Sequence, residues 1–242
     1  MRVLKIHVIF SASEIRSSDV KDKTVVVIDV LRATSVMVTA LHNGASKVVP
    51  VLTTEAAFEY RKRSGYDVLL AGERNSDRID GFDHGNSPLD MTEKTVKGKT
   101  IVITTTNGTR AINESLEAAD IFVAAFLNAD STVRALDGVE EVVLVCSGSN
   151  GGFTMEDTLC AGLLANSLAL KNPDAHLTDA AIAAKQLFHY SRSNIHKLAA
   201  EGRHYQLLWE KGFSEDLFYC FRPDLSRMVC RMKEGVFTGK QS

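Results

Sequence analysis

The sequence of 242 residues is poor in cysteine and proline, with four of each. Cys146, Cys160, Cys220 and Cys230 show neither a C-x-x-C spacing nor a zinc-ligand pattern with nearby histidines. We therefore expect free thiols, which is the usual state of cysteine in a reducing compartment. Because so few prolines leave little room for a Pro/Gly/Ser-rich linker, we predict a single α/β domain over residues 1–242.

An excess of charge of either sign is also missing, since the formal net charge is −2. This balance argues against non-specific nucleic-acid binding and against an anionic membrane surface as partner. No apolar run approaches the length of a transmembrane helix. Lys5 and His7 interrupt the first ten residues, which favours a strand over a signal peptide. We expect a cytoplasmic protein, and the sequence leaves a homodimer open.

Buried strands alternate with amphipathic helices along most of the chain. This order predicts a layered α/β/α fold with a largely parallel or mixed sheet, and a helix-rich segment from about residue 163. One helix is predicted from Thr178 to Glu201 and one closing strand from Val229 to Phe237. The clearest strands, each a short apolar run, cover residues 3–10, 25–28, 68–71, 99–105, 121–126 and 142–145.

Polar side chains follow four of these strands at their carboxyl ends, which is where open α/β sheets bind ligands. Each group mixes acids, guanidinium groups and small hydroxyl or amide residues. The groups are Asp29, Arg32 and Thr34; Glu73 and Arg74; Asn107, Thr109 and Arg110; and Cys146, Ser147, Gly148, Glu156 and Asp157.

The arginines and acids of these groups predict two partners. Arg32, Arg74 and Arg110 are candidates to bind an anionic substrate through paired bonds to phosphate, carboxylate or sulfonate. Carboxylates at the same ends are the ligands that Mg²⁺ prefers, and Mg²⁺ bridges them to phosphate oxygens. The candidate metal ligands are Asp29, Glu73, Glu156 and Asp157.

Familiar phosphate-binding motifs are absent from the sequence. Gly98-Lys99-Thr100 imitates the end of a Walker A loop, but Glu93 occupies the first glycine position. The Gly148–Gly152 loop lacks the G-x-G-x-x-G spacing of a dinucleotide site. The histidines form no H-E-x-x-H pattern, and only His84, in the glycine-rich loop 81–88, is a further candidate.

The motifs taken together resemble the 2-phosphosulfolactate phosphatase family over nearly the whole chain. They are Asp29-Val-Leu-Arg-Ala-Thr34, Gly72-Glu-Arg-Asn75, Gly81-Phe-Asp-His-Gly-Asn-Ser-Pro88, Thr104-Thr-Thr-Asn-Gly-Thr-Arg110, Cys146-Ser-Gly148 and Glu156-Asp-Thr-Leu-Cys-Ala-Gly162. The resemblance implies Mg²⁺-dependent hydrolysis of (2R)-2-phospho-3-sulfolactate to 3-sulfolactate and phosphate, a step associated with coenzyme M biosynthesis. Ser76 and His84 depart from the usual pattern, and the departure at His84 bears on substrate preference but not on the reaction type.

On these motifs we expect three catalytic candidates, Asp29, Cys146 and Glu156. We expect substrate contacts from Arg32, Thr34, Arg74, Asn86, Ser87, Asn107, Thr109, Arg110, Ser147 and Gly148. Three nucleophiles stay open, ranked as metal-activated water, then the Cys146 thiolate, then Asp29. Two other functions also stay open: a phosphatase for another small 2-phospho-acid, such as phospholactate or phosphoglycerate, and a non-catalytic anion-binding protein.

Overall fold

The structure is a computed structural model that describes residues 3–65 and 67–242. Within these residues it contains a sheet of 11 strands. The strands are β1 (Lys5–Ile9), β2 (Thr24–Ile28), β3 (Lys47–Pro50), β4 (Val68–Arg74), β5 (Asp77–Arg78), β6 (Thr100–Thr104), β7 (Asp120–Ala124), β8 (Glu141–Cys146), β9 (His176–Leu177), β10 (Met228–Lys233) and β11 (Val236–Gln241).

Helices connect most of the strands and cover both faces of the sheet. They are α1 (Ser17–Val20), α2 (Ala33–His42), α3 (Thr54–Ser64), α4 (Glu93–Val96), α5 (Gly108–Glu114), α6 (Ala129–Ala135), α7 (Met155–Lys171), α8 (Asp179–Ser191), α9 (Ile195–Ala199), α10 (Arg203–Glu210) and α11 (Ser214–Cys220). The predicted layered α/β fold is confirmed. None of the described helices is both long enough and apolar enough to cross a membrane.

The sheet has the strand order β5-β4-β6-β3-β11-β10-β7-β2-β8-β1-β9. It contains two blocks of parallel strands. One block is β4-β6-β3 and the other is β7-β2-β8-β1-β9. Side chains of β2 alternate between two cores: Val26 and Ile28 pack on one face, and Val25 and Val27 on the other. Both faces are buried, which explains why the strand is an unbroken apolar run.

The C-terminal strands form a hairpin that joins the two blocks, so the prediction of one closing strand from Val229 to Phe237 is wrong. β10 pairs antiparallel with β7 and with β11, and β11 pairs antiparallel with β3. The turn consists of Glu234 and Gly235, which have positive φ angles of 49° and 77°. Two left-handed turn residues are typical of the tight hairpin turns that match strand twist.

The predicted helix from Thr178 to Glu201 is also wrong in extent, because the structure divides it into α8 and α9. The break lies at residues 192–194. There the Asn194 side chain caps the new helix by accepting a hydrogen bond from the Lys197 N–H at 3.0 Å. Asparagine is among the preferred N-cap residues, because its side-chain oxygen satisfies an otherwise free backbone donor.

Helix α2 is enclosed by the sheet. Residues 33–41 are all buried, and the helix contacts β3, β7, β10 and β11. Three antiparallel pairings separate the parallel blocks, so the two blocks run in opposite directions along the sheet. Their carboxyl ends nevertheless meet, since Asp29 after β2 and Thr105 after β6 line one pocket. The sheet therefore curves around α2 and brings the two sets of strand ends together.

Candidate active site

The pocket at these strand ends is a small polar cavity of about 100 Å³. Its walls come from the residues after β2, β6 and β8, from the end of β4 and its turn, and from one face of α10. The lining residues are Asp29, Leu31, Arg32, Glu73, Asn75, Ser76, Asn86, Thr105, Thr106, Asn107, Ser149, Asn150, His204, Leu207 and Leu208.

Asp29 is the most unusual acid of the pocket. Its Oδ1 accepts a hydrogen bond from the Ala33 N–H at 3.0 Å, and Oδ2 lies against Gly108. Within the described chain no hydrogen bond reaches Oδ2. Burial raises the pKa of Asp29 to about 6, and the nearby charges of Glu73 and Glu156 also raise it, against the Ala33 N–H and the charge of His204.

Glu73 holds two loops of the pocket wall together. Its Oε1 accepts a hydrogen bond from the Thr106 N–H and its Oε2 one from the Ser76 N–H, each at 2.8 Å. Both oxygens are thus committed to backbone donors. Glu73 lines the pocket and fixes the loops after β4 and β6 relative to each other.

Asp157, in the first turn of α7, likewise holds two backbone segments together. Its Oδ1 accepts from the Val30 N–H at 2.8 Å and its Oδ2 from the Gly148 N–H at 3.1 Å. It therefore joins the ends of β2 and β8. Burial raises the pKa of Asp157 well above its usual range, and the charges of Asp29 and Glu156 add to the rise.

Glu156 and His204 form a pair between α7 and α10. His204 Nδ1 lies 2.8 Å from Glu156 Oε1, and no hydrogen bond from residues 3–65 or 67–242 reaches the other carboxylate oxygen, Oε2, which is buried. Burial lowers the pKa of His204, but the hydrogen bond and charge of Glu156, with the charges of Asp29 and Asp157, outweigh it, so that the net shift is upward. Since Nδ1 is engaged, Nε2 is the ring nitrogen left for the pocket.

Arg32 is the arginine that lines the pocket. It is 2% exposed, its Nη1 lies 2.5 Å from Asp216 Oδ2 on α11, and its Nη2 donates to the Ser76 carbonyl at 3.3 Å. The guanidinium also lies over the Phe213 ring, 3.9 Å from the ring centroid. A buried arginine with a carboxylate partner and an aromatic base is held in one orientation.

Comparison with known proteins identifies the family of this site. The family model described as 2-phosphosulpholactate phosphatase matches residues 9–235. The chain belongs to the 2-phosphosulpholactate phosphatase family. This is a family of phosphoric monoester hydrolases, so the predicted family and enzyme class are confirmed.

Individual relatives cover nearly the whole chain. A protein of Clostridium novyi (strain NT) named "Probable 2-phosphosulfolactate phosphatase" is 44% identical over 227 residues, covering 93% of this chain and 96% of its own. A protein of the same name from Clostridium perfringens (strain SM101 / Type A) is 44% identical over 236 residues, covering 96% of this chain and 95% of its own. A protein of the same name from Clostridium acetobutylicum is 41% identical over 233 residues, covering 96% of this chain and 99% of its own.

Of the four predicted metal ligands, Asp29 and Glu73 line the pocket, whereas Glu156 and Asp157 are outside its lining. Across residues 3–65 and 67–242, no three His, Cys, Asp or Glu side chains are placed to hold a metal ion jointly. Glu73 and Asp157 each accept one backbone hydrogen bond on both carboxylate oxygens, which fixes their orientation and leaves further lone pairs. Asp29 Oδ2 and Glu156 Oε2 accept no hydrogen bond from the described residues, and burial, with neighbouring acids, raises the pKa of Asp29 to about 6.

Two of the three predicted anion-binding arginines do not reach the pocket. Arg74 donates to the carbonyls of Glu73 and Thr104 and to the Thr104 hydroxyl, at 2.7 to 3.4 Å. Arg110, the third residue of α5, is exposed and outside the pocket lining. Because neighbouring residues of a strand point to opposite faces, Glu73 and Arg74 of β4 could not both face the pocket.

Cys146 is also outside the pocket lining. Its thiol is fully buried at the end of β8, and burial, followed by the charge of Asp157, raises its pKa well above the usual range. A thiol with a raised pKa is a poor nucleophile, because the thiolate is the reactive form. This environment argues against the Cys146 thiolate as the attacking group.

The remaining predicted contacts divide into pocket and scaffold. Asn86 and Asn107 line the cavity, and Asn86 Oδ1 is buried without a hydrogen-bond partner among the described residues. The scaffold residues are bonded internally or buried behind the lining: Thr34 to the carbonyls of Asp29 and Ala124, Thr109 to that of Thr105, Ser87 to Asp216, Gly148 to Asp157, and Ser147 without a partner for its hydroxyl. His84 lies outside the lining and 3.8 Å from Asp90.

Sequence reasoning missed His204 and Asp216. Both come from the helical segment after α9, more than 40 residues beyond Asp157, and no motif surrounds either residue. A weak signal was available for His204: it is a titratable residue one position into a helix whose Leu207 and Leu208 form an apolar face. Thr105 and Thr106 lay within a recognised motif but were not singled out.

Proposed function

We propose that this chain is a Mg²⁺-dependent phosphatase that hydrolyses (2R)-2-phospho-3-sulfolactate to 3-sulfolactate and phosphate. The main support is the pocket itself. There Asp29, a buried acid whose pKa is raised, the fixed Arg32 and the His204 paired with Glu156 surround a cavity of about 100 Å³. Membership of the 2-phosphosulpholactate phosphatase family supports the substrate.

Binding of the substrate anions falls to Arg32 and to the neutral donors of the wall. Arg32 has five N–H groups, and the acceptors seen in the described chain are Asp216 and the Ser76 carbonyl. The other N–H groups are available to an oxyanion. The side chains of Thr105, Thr106, Asn107, Ser149 and Asn150 add hydroxyl and amide groups without adding charge.

Mg²⁺ fits this site through Asp29, with water and substrate oxygens as its other ligands, which is how Mg²⁺ commonly binds in phosphate-processing sites. When bound it would offset the negative charge of substrate and acids and polarise the phosphoryl group. A substrate with three anionic groups beside Asp29 and Glu73 needs such a counter-charge. The same need argues against a simple anion sensor, which gains nothing from acids beside its ligand.

Hydrolysis in this proposal begins with attack of water on phosphorus, with the ester P–O bond breaking. Asp29, whose pKa without a metal is about 6, is largely ionised at neutral pH, so it can hold Mg²⁺ and accept a hydrogen bond that orients the attacking water, whose proton passes to solvent. His204, whose pKa is raised, can donate the Nε2 proton to the departing alkoxide at C2. Asp29 as a direct nucleophile is the second route, since it would form an aspartyl phosphate.

The test is phosphate release from (2R)-2-phospho-3-sulfolactate, phospholactate and 2-phosphoglycerate, each after EDTA treatment and again after addition of Mg²⁺. We expect turnover with Mg²⁺, loss with EDTA, and the highest kcat/KM for phosphosulfolactate. Full activity after exhaustive EDTA treatment would exclude the metal. Tight binding of 3-sulfolactate without release of phosphate from any substrate would favour the anion-binding alternative.

A further inference from the structure

Helix α11 supplies a carboxylate that reaches the pocket through Arg32. Asp216 is 3% exposed, and both of its oxygens are engaged: Oδ2 with Arg32 Nη1 at 2.5 Å and Oδ1 with the Ser87 hydroxyl at 2.6 Å. Asp216 is absent from the pocket lining, whereas Arg32 belongs to it. Asp216 therefore cannot touch a ligand in the pocket except through the arginine.

Two segments distant in sequence converge on the Arg32 guanidinium, the turn after β4 and the start of α11. Phe213, just before α11, lies under its plane, the Ser76 carbonyl after β4 accepts from Nη2, and Asp216 accepts from Nη1. Guanidinium groups bind oxyanions well only when the N–H fork is correctly oriented. A buried arginine loses that orientation when the carboxylate that fixes it is removed.

We propose that Asp216, assisted by Ser87 and Phe213, is a positioning residue that orients Arg32 toward a substrate oxyanion. The proposal rests on the proposed phosphatase function. It also assigns a role to Ser87, which does not line the pocket, and it gives α11 a part in catalysis although none of its residues contacts the cavity.

A double-mutant cycle tests this assignment in the full-length protein with Mg²⁺ and phosphosulfolactate. Asp216→Asn keeps the size of the side chain and removes its charge. We expect it to lower kcat/KM by about ten- to a hundredfold, the usual effect of losing a charged hydrogen bond. Ser87→Ala, which leaves the ion pair in place, should have a smaller effect in the same direction.

The decisive measurement is the effect of the same change in an Arg32→Lys background. A positioning role predicts that Asp216→Asn lowers kcat/KM little further once the guanidinium group has been replaced, so that the kcat/KM of the double variant resembles that of Arg32→Lys. Losses that multiply would overturn the proposal, because they would show that Asp216 acts independently of Arg32. Asp120→Asn, which breaks the exposed pair with Arg231 far from the pocket, is the matched control and should leave kcat/KM unchanged.

Failure of the proposed function would be distinguishable from failure of this inference. If the wild-type protein released no phosphate, the phosphatase proposal would fall, and the cycle would be repeated on the Kd for 3-sulfolactate measured by calorimetry. If the wild-type protein turned over but Asp216→Asn kept its full kcat/KM, only the positioning role would be excluded.

Discussion

At the scale of single residues, burial and neighbouring acids destabilise the ionised form of Asp29. Its pKa of about 6 in the folded protein exceeds the ordinary value of 3.8 because the carboxyl is buried among other acids. A raised carboxyl pKa stabilises the fold at pH values below the ordinary pKa, and this contribution is lost as pH rises through about 6. The ionised side chain therefore lowers the stability of the fold at neutral pH, where the proposed mechanism requires it.

We predict that Asp29→Asn is inactive yet more stable than the wild type at pH 7.5 without divalent cations. A shift of two pKa units corresponds to a gain on the order of 2–3 kcal/mol in the free energy of unfolding. The gain should vanish at pH 4, where the wild-type carboxyl is protonated in the folded protein. Urea denaturation at both pH values measures it, with Asp137→Asn, an exposed acid, as control. Equal or lower stability of Asp29→Asn at pH 7.5 would contradict the account.

Cys146→Ser separates a buried scaffold thiol from a nucleophile. Since the thiol is fully buried and its pKa is raised, we expect the serine variant to retain more than about a tenth of kcat, a loss below 1.4 kcal/mol in activation free energy. Steady-state phosphate release measures this. A loss of several orders of magnitude, together with a phosphorylated cysteine trapped by rapid quench, would restore the thiolate mechanism.

The sequence was informative about which residues follow the strands and uninformative about where their side chains point. Asp29, Glu73 and Asp157 were recognised because each lies just past or at the end of a buried run or in the following helical turn. Their separate roles, one facing the pocket and two binding backbone N–H groups, depend on loop geometry that no local pattern encodes. Arg32 and Arg74 both lie at the carboxyl end of a buried strand, so the sequence predicts the same role for each. Only the alternation of side chains along β4 separates them, because Arg74 must point away from the pocket if its neighbour Glu73 points into it.

At the scale of elements, the start of α5 is packed directly against Asp29. A Cβ added at Gly108 would lie 2.5 Å from the Ala33 Cβ and 2.7 Å from Asp29 Oδ2. Helix propensity favours alanine over glycine by about 1 kcal/mol, so propensity and packing make opposite predictions here.

We predict that packing decides the outcome of Gly108→Ala. Because both obstructing atoms belong to buried residues, α5 or Asp29 must shift, and we expect kcat to fall by more than about tenfold with a lower melting temperature. Gly85→Ala is the matched control, since its added Cβ would meet only Arg78 Cβ at an ordinary 3.6 Å. Wild-type kcat and a raised melting temperature for Gly108→Ala would show that propensity prevails.

At the scale of the whole molecule, the two parallel blocks carry different halves of the active site. Asp29 and Arg32 follow β2 in one block, while Glu73, Thr105 and Thr106 come from β4 and β6 in the other. The alternation of strands and helices predicted a largely parallel or mixed sheet but not its division into two blocks of opposite direction, because the joining hairpin is the last element of the sequence. Outside the hairpin, β10 pairs with β7 and β11 with β3, and both of these strands lie more than 100 residues earlier in the chain, so the pairing leaves no local signal in the sequence.

The hairpin is therefore the structural link on which the shape of the pocket depends. Phe237 of β11 is fully buried, pairs in register with Val48 of β3 and packs in the core beneath α2. We predict that Phe237→Ala lowers the free energy of unfolding by about 3–5 kcal/mol, the usual result of emptying a buried phenylalanine site. Phe218→Ala removes the same atoms from a side chain that is 55% exposed and should cost less than about 1 kcal/mol.

Amide hydrogen exchange on the Phe237→Ala variant tests whether the hairpin also connects the two halves of the site. Since β11 and β10 are the strands between the blocks, we expect protection to fall in β3 and β6 and also in β7 and β2. KM should rise together with this loss, because Glu73 and Asp29 are fixed by different blocks. Loss of protection confined to β3 and β6, with an unchanged KM, would mean that the β2 block holds its half of the pocket without the hairpin.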